Sequence, residues 1–205
     1  MASLVQDVWL GWEPRLRGRR LAPWESPTVR LLFHLDAGST LDDPRVAGLL
    51  DGLGATLEVV AWEPRGPGGS GRSGAEWLED ARRLVAQGSS RWGDLPLVVA
   101  GHGLGGWLAL APSLASAGPD TASPLRSALA AALSRPPLAV PTLVLEARER
   151  PAAEAEAVSG WLVREPRASR VLAAGTDASL LDPPWPGVVA AWAEAAGGAA
   201  REAPT

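Results

Sequence analysis

LPLVVAGHGLGGWLALA, residues 95–111, decides how this chain is read. Leu95 to Gly101 is an apolar run of strand length that ends in a glycine-rich corner, and the residues from Leu104 onward suit a helix. A strand–corner–helix unit written G-x-S-x-G holds a serine out at its tip, where the hydroxyl attacks an ester or amide. Here the five residues are Gly101-His102-Gly103-Leu104-Gly105, and the tip is a glycine. The bend is kept and the hydroxyl is gone.

The surrounding segment carries no charge between Asp94 and Asp120, a length that would suit a membrane span. Pro96, Pro112 and five glycines interrupt it, and the strand-corner-helix reading accounts for each of them. Outward from the corner, short apolar runs alternate with longer amphipathic ones, the mark of an α/β architecture with a mainly parallel sheet. Residues 5–12 and roughly 19–24 form an expected N-terminal hairpin, with the run Arg15 to Arg20 read as a solvated turn between its strands. TVRLLFHL (28–35), TLEVVAWEP (56–64), LPLVVAG, AVPTLVLEA and SRVLAAG are the further strands. Residues 41–55 are an expected helix capped by Asp42 or Asp43 with Pro44 in its first turn. In AEWLEDARRLVAQG, Trp77, Leu78, Ala81, Leu84 and Val85 share one helical face. WPGVVAAWAEAAGGAARE (185–202) is an expected closing helix; residues 1–196 are expected to form one domain, and GGAAREAPT (197–205) to fray as a disordered tail.

Composition narrows the function classes. A chain of 205 residues with a net charge of −4 is a poor nucleic-acid binder. With no cysteine, disulfides and thiolate metal sites are excluded. The start, MASLVQDVWLGWEPR, lacks the basic opening of a secretory signal, so a cytoplasmic location is expected. Ile, Asn, Lys and Tyr are absent while Ala, Gly, Pro, Arg and Trp abound, as a GC-rich bacterial genome would produce. Having only His34 and His102 is therefore more telling than having no lysine.

Local segments in a fixed order carry a resemblance. LLFHLDAGS resembles a strand leading into an oxyanion loop that usually ends in His-Gly, with Leu35 in place of the glycine. VVAWEPRGPGGSG resembles V-x-x-x-D-x-R-G-x-G-x-S, and VVAGHGLGG resembles the elbow G-H-S-L-G-G. VPTLVLEARERP and VLAAGTDASLL resemble the two C-terminal strands whose loops carry the remaining catalytic residues. Together they resemble the α/β-hydrolase superfamily over nearly the whole chain, in its small lidless esterase or thioesterase-like form.

That resemblance implies an α/β-hydrolase-like fold, with helices flanking a mainly parallel sheet and a reduced or absent lid. It also implies one core strand missing between the elbow helix and VPTLVLE. The resemblance further places a degenerate triad: Gly103 at the serine position, Asp177 at the histidine position, and Arg150, with Glu149 beside it, at the acid position. The oxyanion amides would come from Leu104 and from the loop at Leu35 and Asp36. In the matching motif the residue corresponding to His102 supports the turn, which is the role expected here; a displaced base is the alternative. His34 is also expected to be structural, although it borders the pocket. Asp177, Glu149 and Glu146 are read as solvated loop residues ahead of a metal or acid–base cluster, and no cofactor is expected. Trp77, Trp107, Trp161 and Trp192 are expected in the core, whereas Trp9, Trp12 and Trp24 are candidates for an exposed patch.

Because the triad acts as a unit, losing its serine and histidine positions together closes the acyl-enzyme route. The leading expectation is a non-catalytic pseudoenzyme serving as a binding, assembly or regulatory module. Its candidate partners are another protein, a second copy of the chain, or a small acyl or hydrophobic ligand. The alternative is a rearranged, serine-independent esterase or thioesterase using His102, His34 and Asp177.

Overall fold

The structure is a computed structural model that describes residues 3–10, 15–36, 39–64, 74–110, 142–147, 156, 159–160, 163, 168–173 and 184–202. Along the described chain run β1 (Leu4–Leu10), β2 (Leu16–Ala22), β3 (Arg30–His34), α1 (Pro44–Gly54), β4 (Glu58–Trp62) and α2 (Gly74–Arg91). β5 (Leu97–Gly101), α3 (Leu104–Leu110), β6 (Thr142–Ala147), β7 (Ala168–Ala173) and α4 (Trp185–Glu202) follow. The first five strands form one sheet in the order β1-β2-β4-β3-β5, and β6 and β7 pair separately. Pairing is parallel for β3 with β4 and β5, and for β6 with β7; β2 runs antiparallel to β1 and β4.

Every residue of β3 and β4 is buried, as expected of central parallel strands covered on both faces. Side-chain alternation divides the core into two halves. Leu31, Phe33, Val59 and Ala61 face Val46, Leu49, Leu50 and Leu53 of α1 and Ala190 and Ala193 of α4. Leu32, Val60 and Trp62 face Trp77, Leu78, Ala81 and Leu84 of α2 and Leu108 of α3. The result is a helix–sheet–helix sandwich with the strand ends carrying the loops. At the start of α1, Asp43 is the cap: its carboxylate accepts from the Arg45 amide at 2.8 Å, and Pro44 opens the helix.

The structure corrects two expectations. The Arg15–Arg20 run is no solvated turn, because β2 begins at Leu16 and holds Arg17, Arg19 and Arg20 inside the sheet. Each is drawn in by a carboxylate: Arg17 donates to Asp42 at 2.6 Å and to Glu63 at 3.3 Å, Arg19 to Asp7 at 2.8 Å, and Arg20 to Glu58 at 2.7 Å. The guanidinium beside Asp42 holds that carboxyl below the usual carboxylate range. At the C-terminal end the expected closing helix over 185–202 is present as α4, and only the overlapping expectation of fraying from Gly197 is corrected, since the helix continues through Glu202. Gly197 is buried so closely against Val29 that a Cβ there would overlap the valine side chain. That contact extends the helix. The segment in which a core strand and a lid would be sought, residues 111–141, lies outside the described residues.

Tryptophan placement follows the sequence expectation where it is described. Trp77 is buried, Trp192 packs at the margin of the α1 and α4 core, and Trp9 and Trp24 are exposed. Trp12 and Trp161 lie outside the described residues. No helix among the described residues is long and apolar enough to cross a membrane. The uncharged stretch after Asp94 instead breaks into β5 and α3 at the corner.

Candidate functional site

Parallel pairing of β3 with β5 sets His34 beside Gly101, so the loop after β3 and the corner after β5 emerge together. The His102 amide donates to the His34 carbonyl oxygen at 3.2 Å. The corner then closes on itself: the Gly105 amide donates to the His102 carbonyl oxygen at 2.9 Å, and the Gly106 amide to that of Gly103 at 3.0 Å. Two of its glycines are demanded by close approach. A Cβ on Gly101 would overlap the Gly105 backbone, and one on Gly105 would overlap the His34 carbonyl oxygen. Gly106 is less constrained, since its nearest neighbour would stand 3.4 Å away.

Gly103 at the tip has φ +57°, the left-handed conformation in which a side chain is strained. Its surroundings are the main finding of the site. The point at which a tip side chain would place its Cβ lies 2.6 Å from Cγ of Asp36 and 2.7 and 3.0 Å from its carboxylate oxygens. The carboxylate from the β3 loop thus occupies the space a nucleophile would need. Asp36 is half-buried, and its carbonyl oxygen accepts from the Ser39 amide at 3.0 Å.

Beneath the corner, His34 is fully buried. Its ring meets Trp62 edge to face, with centroids 5.3 Å apart at 82°, and Nε1–H of Trp62 donates to its Nδ1. Accepting at Nδ1 places the proton of a neutral imidazole on Nε2, which has no hydrogen-bond partner among the described residues. Burial pushes the imidazole pKa down from 6.5 to about 3, so the ring is neutral across the physiological range. Leu35 is buried beside it and presents apolar bulk at the loop. Glu63 accepts from the Leu41 amide at 2.6 Å as well as from Arg17, so it ties the approach to α1 down onto the hairpin.

This layout matches known structures. The archaeal esterase Pf2001 from Pyrococcus furiosus is similar over 96% of this chain and 92% of its own, with a TM-score of 0.73 at 13% identity. A dienelactone hydrolase from Anabaena variabilis aligns over 95% of this chain and 96% of its own, at TM-score 0.67 and 17% identity. Mouse alpha/beta hydrolase domain-containing protein 10 aligns over 91% and 96%, at 0.66 and 11%. The chain has the α/β-hydrolase fold. No protein-family model and no curated protein sequence matches it.

Within the α/β-hydrolase fold, the sequence-expected site divides in two. Gly103, Leu104, His102, His34 and Leu35 come together where the β3 loop meets the elbow. Glu149, Arg150 and Asp177 lie outside the described residues, while Glu146 is on β6. Sequence reasoning named the Asp36 loop only for its backbone amide and missed its carboxylate. The available signal was Leu35, a bulky residue at the position where the motif it resembles has glycine, with Asp36 directly after it.

Proposed function

We propose that this α/β-hydrolase-fold protein is a non-catalytic cytoplasmic binding, assembly or regulatory module. One observation carries the reading: Gly103 offers no nucleophile, and the Asp36 carboxylate fills the space a nucleophile would occupy. An acyl transfer at this elbow would have to develop negative charge beside a standing anion, the reverse of oxyanion stabilisation. Burial also removes His34 from base chemistry, because its one basic nitrogen accepts from Trp62.

Likeness to esterases favours a second reading, a rearranged serine-independent hydrolase. The two separate on incubation with a fluorophosphonate probe and with short p-nitrophenyl acyl esters. The non-catalytic reading expects no labelling and ester loss at the buffer rate. Turnover above buffer that disappears in His102→Ala or Asp36→Asn would overturn it.

A further inference from the structure

The outer edge of the five-stranded sheet is β1. It pairs with β2 without interruption from Leu4↔Ala22 to Leu10↔Leu16, and no strand among the described residues lies on its other side. Leu4, Val5 and Trp9 are more than half exposed there. Soluble proteins usually protect such an edge with lysine, proline or a bulge. β1 has none of these. Its one charge, Asp7, is held by Arg19 across the β1–β2 pair at 2.8 Å.

From this edge we infer that β1 joins β1 of a second copy in antiparallel pairing, about a two-fold axis through Asp7, to give one continuous sheet. An axis normal to the sheet keeps odd-numbered residues of both copies on one face and even-numbered residues on the other. Only pairings between residues of the same parity are then allowed. With the axis at Asp7, Leu4 of one copy stands opposite Leu10 of the other, Val5 opposite Trp9, and Gln6 opposite Val8. Each exposed apolar residue of the strand gains an apolar cross-strand neighbour. The adjacent allowed axes do worse. Through Gln6, Val5 would face Asp7 and Trp9 would face Ser3; through Val8, Trp9 would face Asp7 and Leu10 would face Gln6. Among these three registers only the axis through Asp7 uses the full length of LVQDVWL and pairs Leu4, Val5 and Trp9 each with an apolar residue.

Charge is accommodated in that register. The two Asp7 carboxylates meet at the axis, each already bonded to its own Arg19, and Arg17 lies 4.0 Å from Asp7. Arg19 and Arg17, which also pair with Asp42 and Glu63 of their own copy, flank each Asp7 and offset in part the cost of setting two carboxylates opposite one another. The outward amides and carbonyls of both edges pair at the same time, the directional part of strand addition. This association is independent of the elbow, so it holds or fails whatever the ester assays show.

The test is sedimentation velocity on the full chain from 1 to 100 μM, with Val5→Lys as the comparison. A reversible dimer is expected, and Val5→Lys should weaken it at least tenfold. Val5 is exposed, so the variant's circular dichroism should stay that of the parent, and its melting temperature should match the parent's at concentrations where both are monomers. Register is read by disulfide trapping, which the absence of native cysteine makes unambiguous. An equimolar mixture of Val5→Cys and Trp9→Cys should give the mixed disulfide, whereas Val5→Cys alone should not cross-link, its sulfurs being too far apart. A monomer throughout the range, a dimer indifferent to Val5→Lys, or cross-linking of Val5→Cys to itself would overturn the proposal.

Discussion

Substituting Gly103 by alanine tests the geometry on which the site depends. At φ +57° an L side chain costs roughly 1–2 kcal/mol relative to glycine, whatever surrounds it. The new methyl would also stand 2.6 Å from Cγ of Asp36, well inside ordinary contact, so the carboxylate must shift. Overpacking of this kind costs about 1–3 kcal/mol, and the lower end applies because Asp36 is half-buried on a loop. Gly103→Ala should therefore destabilise the protein by about 2–3 kcal/mol, a large share of the usual margin. Urea unfolding followed by fluorescence of the ten tryptophans measures this directly. Asp36→Ala removes the obstructing carboxylate and leaves the backbone conformation, so the double variant should recover about 1 kcal/mol relative to additivity. Strict additivity would mean that the carboxylate does not stand against the elbow. A neutral Gly103→Ala would refute the left-handed tip itself.

Acid should destabilise the fold through His34. Its folded pKa, about 3, lies below the unfolded value near 6.5, so the unfolded chain binds the extra proton first and stability falls as pH drops below about 6.5. By pH 5 the loss from this group is about 2 kcal/mol, and urea titrations of His34→Gln over the same range should show a slope flatter by that amount. At the opposite end of β3, Arg30 and Glu58 form a buried pair at 2.9 Å, with Arg30 also donating to the carbonyl oxygens of Trp92 and Gly93. Glu58→Ala leaves that guanidinium buried without its counter-charge and should cost about 3–5 kcal/mol in chemical denaturation, while joint replacement of Arg30 by Met and Glu58 by Leu should restore at least half of it.

The elements whose physics is local were legible in the sequence. Continuous apolar runs marked β3, β4 and β5, and Asp42 or Asp43 ahead of Pro44 marked the start of α1, where Asp43 is the cap. Gly105 and Gly106 are read from the sequence as packing requirements; Gly105 bears this out against the His34 backbone, whereas Gly106 has only ordinary contact and the tight approach at Gly101 was not foreseen. What failed depended on partners distant in sequence. The arginines of β2 read as a turn because their carboxylates, Asp7, Asp42, Glu58 and Glu63, come from three other segments. The expected fraying from Gly197 failed because Val29, which it packs against, is far away along the chain.

The same distinction explains the site. A motif scan sees that Gly103 lacks a hydroxyl, and it treats the position as empty. The fold fills it from elsewhere, because parallel pairing of β3 with β5 delivers whatever follows His34 to the mouth of the corner. In a working elbow the residue after the histidine is glycine, which leaves that mouth open. Here Leu35 is buried as core instead, and the chain turns Asp36 across the tip. Glycine at position 103 and the Asp36 carboxylate are therefore coupled: a side chain at the tip would require that carboxylate to shift. Restoring a serine alone would strain the tip and collide with the carboxylate.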